Sequence, residues 1–439
     1  MASSHSCECT NTGLDLFTLP PLNTSVESGG WTVAYPLATL SESGPIEFLI
    51  KGSGEEYIDL ANTYIHVQAR VTKPGGLDLT VEDDNLVVPE NLFLHTLFSE
   101  VDVSLNGVLV STSSNTYPYR SYIETLLNYG RDAKDTQLAS SMFYTSKTSP
   151  YPFSADNMTS DVKERKKRIQ RSKLIDMMSR LHADIFTQQK YMINNVDVRL
   201  RFIRSKNSFA LLALPGIDNQ SIKDYKIQIS QASLFVRKVK VNPSIALAHA
   251  KALQTTTCKY PYNKCLVQCF SVPQGNLNIV QDNLFLNQKP SRIVIGLVDS
   301  VAFNGSYEQS AFEFKHYNIN SLCLYHEGTQ IPSKALKPDF DKGAYVRSYL
   351  SLFSATGTVW KDAGNCISYE DFAKGFTLFC FDLTPSLVDG DMVEILKTGG
   401  IRLEIGFGIP LPNPVHIIVF SETPSRLEIS STRQVIYDN

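Results

Sequence analysis

Two stretches of this chain run through the same short series of elements in the same order. In the first half VDVSLNGVLV (101–110) precedes YPYRSYIETLLNYG (117–130); in the second, INSLCLYHEGTQI (319–331) precedes GAYVRSYLSLFSATG (343–357). Arg120-Ser121-Tyr122 thus matches Arg347-Ser348-Tyr349, and VDVRLRF at 196–202 corresponds loosely to GIRLEIGF at 400–407. A shared order of matching pieces is what a duplicated domain leaves in a sequence. The 439 residues suit two domains of roughly 200 each, because single cores stop growing well short of the full length.

The pieces themselves read as strands. Val101, Val103 and Leu105 alternate with polar residues before an Asn106-Gly107 turn, the spacing of a hairpin with one buried face. Similar runs are IEFLI from Ile46, YIDLANTYIHVQARV, VDVRLRFI, FALLAL from Phe209 and YKIQISQASLFVRKVKV, the last bounded by Asn242-Pro243. Beyond a short helical stretch, IALAHAKAL, they resume with KCLVQCF, RIVIGLV, FEFKHYNINSLCLYHEG, GFTLFCFDL, IRLEIGFGI and VHIIVF. Many short strands punctuated by Gly, Pro, Asn and Asp, with little helix, predict an all-β sandwich or barrel in place of an alternating α/β fold. The expected division is an N-terminal arm at 1–45, a first domain at 46–241, a linker at 242–257, a second domain at 258–431 and a tail at 432–439. The arm is rich in Ser, Thr, Gly and Pro and its first cation is Lys51 just beyond it, so it is expected to touch protein and not phosphate.

Composition narrows the function classes. The 41 Lys+Arg against 44 Asp+Glu give a net charge of −3, which offers no overall electrostatic case for binding nucleic acid directly. Charged residues make up 19% of the chain, below the roughly 25% of an average soluble domain, as expected of a surface largely covered by neighbours. No apolar run is long enough to span a bilayer, and MASSHSCECTNTG has neither a basic nor an apolar leader region, so the protein is expected to be made and kept in the cytosol or nucleus. The eight scattered cysteines are expected to be reduced.

The block YIDLANTYIHVQARVTK, followed by NLFLHTLFSEVDVSLNGVLVSTSSNTYPYRSYIETLLNYGRDAKDTQL, resembles the major capsid proteins of Polinton (Maverick) elements and adintoviruses. The C-terminal block LKTGGIRLEIGFGIPLPNPVHIIVFSETPSRLEI is similar to the closing strands of the same hexon-like family. The likeness is dense over 46–140 and 390–435 and thinner between. It implies a double jelly roll, two tandem eight-stranded sandwiches with a few short helices in the loops. It further implies homotrimers forming pseudo-hexameric capsomers of an icosahedral double-stranded DNA virus shell. Implied partners are neighbouring capsomers and a single-jelly-roll penton protein; the implied location is the virion, reached through the host nucleus or cytoplasm. The genome DNA would be enclosed by such a shell. A host-domesticated or soluble jelly-roll binding protein, without virion assembly, is the alternative.

Neither a cofactor nor a catalytic or metal centre is expected. There is no GxSxG, HExxH or Walker loop, and so no enzyme is predicted. His5, Cys7 and Cys9 form HxCxC, too closely spaced and too few for a structural zinc site. Cys258, Cys265 and Cys269 read as core residues, and His182 and His249 as surface or core positions. One charge run stands out: Lys163, Arg165, Lys166, Lys167, Arg168, Arg171 and Lys173. Three readings fit it: a nuclear-import patch, a contact to DNA, or the solvated start of a helix continuing through Leu174, Met178, Leu181 and Ile185. Arg120 and Arg347 are expected to anchor equivalent helical turns, as hydrogen-bonding groups between domains or subunits or as plain caps and surface charges.

Overall fold

The computed structural model describes residues 16–17, 23–111, 114–145, 159–214, 224–285, 288–385 and 399–437. Eight strands of the first half are β1 (Val26–Ala34), β2 (Ile46–Ile50), β3 (Glu56–Thr72), β4 (Phe98–Leu105), β5 (Val108–Leu109), β6 (Ile175–Arg180), β7 (Val198–Arg204) and β8 (Lys226–Val241). The second half carries β9 (Cys258–Val272), β10 (Asn278–Gln281), β11 (Arg292–Asp299), β12 (Ile319–His326), β13 (Thr329–Leu336), β14 (Leu378–Asp382), β15 (Ile401–Phe407), β16 (Val415–Ile429) and a short β17 (Val435–Tyr437). Four helices matter below: α1 (Tyr117–Asn128), α2 (Ser160–Ile169), α3 (Pro243–Ala252) and α4 (Val346–Ser354).

Pleat and burial explain the strands. Along β3 the side chains of Thr63, Ile65, Val67, Ala69 and Val71 are buried while Tyr64, His66, Gln68 and Arg70 between them stay half-exposed, the period of two that fixes register. The β4–β5 hairpin turns on Asn106 and Gly107, both at positive φ, and β12–β13 turns on Glu327 and Gly328 in the same way. Two consecutive positive-φ residues match the right-handed twist of the strands, and glycine is the residue that adopts the second without strain.

The sheets of the first half run in the orders β1-β8-β3-β6 and β2-β7-β4-β5, and those of the second in the orders β9-β16-β11-β14 and β10-β15-β12-β13. Adding eight to every number of the first pair gives the second, so both halves thread the same antiparallel path. Two four-stranded sheets with this Greek-key order are a jelly roll, and the chain is a double jelly roll with short helices in its loops. The inner faces form separate cores, one around Phe48, Ile65, Val103, Leu200, Phe202 and Leu234, the other around Ile295, Leu297, Leu322, Leu403, Ile417 and Phe379. Each such side chain contributes about 1.5–3 kcal/mol by leaving water.

Four expectations need correction. Residues 26–34, assigned to the arm, are the edge strand β1, paired with β8 from Val26↔Val241 to Ala34↔Leu234. None of its nine residues is buried, so no apolar alternation marks it; backbone pairing holds it. Residues 435–437 of the expected tail add a strand to β16, with Val435 buried opposite Ile429. The helix beginning in the basic run does not continue to Ile185. It stops at Ile169, the chain reverses with Arg171 and Ser172 at positive φ, and β6 follows with Ile175 and Met177 buried against β3. The Phe312–Asn318 part of the expected long strand is irregular, its Phe312 and Phe314 being used elsewhere.

Candidate functional site

Helix α1 leaves the β5 end of the first sandwich and lies in the seam between the two halves. It is buried almost all round, and Tyr119, Tyr122, Ile123, Leu126 and Leu127 join one apolar cluster with Cys265, Val267, Val294, Val298, Ile418 and Phe420 of the second sandwich. Its aromatic rings are matched in detail. Tyr122 is stacked on Phe312 with centroids 4.1 Å apart; Tyr119 is stacked on Phe303 at 5.6 Å and edge-on to Phe312 at 5.8 Å. Phe303 in turn lies flat on His416. Such pairs add about 0.5–1.5 kcal/mol each beyond area burial. From the other side Tyr260, Tyr262, Leu427 and Ile429 enter the core of the first sandwich, so the halves are joined by two apolar contacts.

A buried ionic cluster sits beside the rings. Arg120 donates to Glu124 (2.8 Å) and to Asp184 (2.5 Å), and Asp184 also accepts the backbone N–H of Cys265 (3.1 Å), which ties α1 to β9 across the seam. His182 Nδ1 is 2.6 Å from Glu124, and the rings of His182 and His95 meet edge to face at 4.7 Å, with His95 Nδ1 2.9 Å from the Tyr117 hydroxyl. Burial by itself would raise the Glu124 carboxyl; Arg120, then His182, outweigh it and hold it down at about 2. Burial keeps the His95 imidazole well below its usual range, reinforced by His182. A general base works best near the operating pH. A carboxylate held this low is a clamp and not a proton acceptor. His182 thus lies in the loop after β6, and His249 lies on α3 with Nδ1 2.9 Å from the Tyr57 hydroxyl.

The two matching arginines occupy equivalent helices, each between the fifth and sixth strands of its sandwich, and do different work. Arg120 is the seam clamp; Arg347 is exposed and donates to the carbonyls of Ala335 and Lys334. The basic run is not a uniform face. Lys163, Lys167, Arg168, Arg171 and Lys173 are exposed and Lys166 is partly buried against Asn85. Arg165, counted with the run, is turned inward to Asp161 (3.0 Å) and the Pro89 carbonyl (2.7 Å), so it belongs to the packing of α2 and not to a surface patch. Arg171 pairs with Asp84 at 3.2 Å.

Two of the open surfaces among the described residues carry a tryptophan. The outward face of β1 presents Trp31 (48% exposed) and Val33 (40%), with Tyr64 and the Arg237 guanidinium against the indole. On the second sandwich α4 presents Val346 (61%) and Leu350 (49%), the latter lining an open cleft of 820 Å³ with Pro332, Val359 and Trp360. Trp31 and Trp360 are the chain's two tryptophans, and both stand in solvent. Sequence reasoning passed over these surfaces, and over Glu124 and Asp184 as partners of Arg120; the exposed tryptophans were the one signal available. Among the described residues, no group of three or more His, Cys, Asp and Glu is placed to hold a metal ion, and no helix is long and apolar enough to cross a membrane. His5, Cys7 and Cys9 lie outside the described residues. Of the three cysteines expected in the core, Cys265 is buried while Cys258 and Cys269 are partly so, and none of the three is in a disulfide.

Comparison with known proteins agrees with the architecture. No family model matches the chain. The uncharacterized protein F54H12.2 of Caenorhabditis elegans is 22% identical over 430 residues, covering 96% of this chain and 100% of that one. Among solved structures, the chain resembles the Sputnik virophage structure with a TM-score of 0.59 at 13% identity, covering 99% of this chain and 93% of that chain. It resembles the Faustovirus major capsid protein with a TM-score of 0.58 at 11% identity, covering 97% and 93%. At these identities the likeness is one of fold, and it spans both sandwiches. Both of these neighbours come from viruses, and the second is named a major capsid protein.

Proposed function

We propose that this chain is the major capsid protein of an icosahedral double-stranded DNA virus or virus-like element of the Polinton and adintovirus kind, a structural subunit and not an enzyme. Three copies associate into a capsomer with six jelly rolls, which packs against other capsomers and against a penton protein at the vertices, in the virion. One observation carries this reading: both sandwiches thread the same strand order, and viral capsid structures cover nearly the whole chain with the same fold. Two similar sandwiches per chain let three chains imitate six-fold packing with a single protein. Homologous domains, the first comprising β1 together with 46–241 and the second 258–437, joined through 242–257, belong to the same reading. So does nuclear import through the exposed cations Lys163, Lys167, Arg168, Arg171 and Lys173 together with the partly buried Lys166.

Light scattering on the purified protein tests it, with a particle of three times the 49.0 kDa chain and a six-lobed outline in negative stain as the expected result. A monomer at micromolar concentration overturns it. The nematode relative favours a second reading, because a full-length match in an animal proteome is what a host-retained copy would give. On that reading the fold persists as a soluble jelly-roll binding protein without virion assembly.

A further inference from the structure

The chain makes one contact internally that it leaves unmade at its two ends. In the seam, the α1 face carrying Tyr119 and Ile123 packs with Cys265, Val267 and Cys269, the outward residues of the second sandwich's first strand β9. Aligning the two Arg-Ser-Tyr triplets places Val346 of α4 where Tyr119 stands in α1, and Leu350 where Ile123 stands. Both residues of α1 are buried, at 1% exposure each, whereas Val346 and Leu350 are bare at 61% and 49%. The counterpart of β9 in the first sandwich is β1, whose outward residues Trp31 and Val33 are equally uncovered. Within one chain these two surfaces do not meet, since both are exposed.

Resting on the trimeric reading above, we propose that the second copy of this chain supplies the missing half: α4, with Leu350 and Trp360, seats on the β1 face of the next copy around Trp31 and Val33. The contact repeats the seam between chains in place of within one. It is head-to-tail, so it joins unlike surfaces and gives a closed ring when the rotation closes. Only the apolar half of the seam is reproduced. Ser351 stands at the position of Glu124, and the Arg347 guanidinium is already engaged by two backbone carbonyls, so the interface has no copy of the ionic clamp. Aromatic anchors carry it instead, consistent with the weight of tryptophan in interface energetics.

The test introduces V33C and L350C together into the full-length chain and oxidises it beside the wild type, whose own free thiols serve as the control. Covalent dimers and trimers in the double variant, and neither in wild type or in each single variant, are expected. W31E and L350R should each reduce the trimer at least tenfold in favour of monomer, with far-UV dichroism unchanged because both side chains are exposed in the isolated chain. Intrinsic tryptophan emission should move to shorter wavelength as wild type associates and stay unmoved in W31E. Persistent trimers in both charge variants, or trimers without the V33C–L350C cross-link, overturn this surface and leave the capsid reading standing. A wild type that stays monomeric overturns both.

Discussion

Tyr122 of the first sandwich lies flat on Phe312 of the second, 4.1 Å away and 4° from parallel, in the apolar contact between the two jelly rolls. Truncating either ring opens a cavity that a packed seam closes only in part. Y122A and F312A should each cost roughly 3–5 kcal/mol in urea unfolding, and a double-mutant cycle should give a coupling of about 1 kcal/mol. Additive losses would mean that the stacked pair contributes nothing beyond its area.

Equivalent arginines should respond unequally. R120A leaves Asp184 and Glu124 buried beside each other without their cation, an expected loss of about 3–5 kcal/mol. R347A removes two hydrogen bonds from an exposed guanidinium and should cost about 1 kcal/mol or less. Thermal unfolding of the two variants side by side checks the ratio.

Acid should loosen the seam. The Glu124 carboxyl is held at about 2 in the folded chain against an ordinary 4.5, so the unfolded chain binds its proton first as pH falls. Its contribution, roughly 3 kcal/mol, is fully present above about pH 4.5 and is lost progressively down to about pH 2. His95 acts in the same sense from a higher pH: its folded imidazole resists protonation, so stability falls as pH drops below 6.5. In E124Q the stability profile should flatten between pH 4.5 and pH 2, measured as urea midpoints. An unchanged acid limb would show that the charge of Glu124 is not what the seam depends on.

The basic run divides into two kinds of residue. Replacing the exposed Lys163, Lys167 and Lys173 with Ala should leave the unfolding midpoint within about 0.5 kcal/mol per site while shifting a tagged protein from nucleus to cytoplasm. R165A should do the reverse, destabilising the fold by about 3–5 kcal/mol because it strands Asp161. Unchanged nuclear accumulation in the triple variant would sink the import role.

What could be read from the sequence was what leaves a local pattern. β3 shows its alternation, Asn106-Gly107 its turn, and the two Arg-Ser-Tyr triplets fall on equivalent helices. Three of the four misreadings share a cause, that the deciding partner lies far along the chain. β1 has no buried face and is a strand only because β8, some 200 residues on, pairs with it. Phe312 and Phe314 alternate like a strand but serve the seam, and Arg120 finds Asp184 64 residues away. In the basic run, apolar residues at helical spacing concealed that Ile175 and Met177 alternate against β3. The candidate assembly surface was the least legible part, because it depends on which equivalent positions are covered in one sandwich and bare in the other.

The pairing of β1 with β8 also sets an order of events at the ribosome. The first strand emerges early and has no partner until Leu234 to Val241 follow it. At translation rates of about 5–20 residues per second the wait for those 200 or so residues is roughly 10–40 s. Throughout it Trp31 and Val33 ride on an unpaired strand, the kind of segment that seeds aggregation. The seam comes later still, since Tyr119 and Tyr122 must await Phe303 and Phe312. Non-local pairing of this kind makes folding slow. The nascent chain therefore spends a long interval with β1 unpaired, and translation speed across the first half becomes a determinant of how much folded chain results.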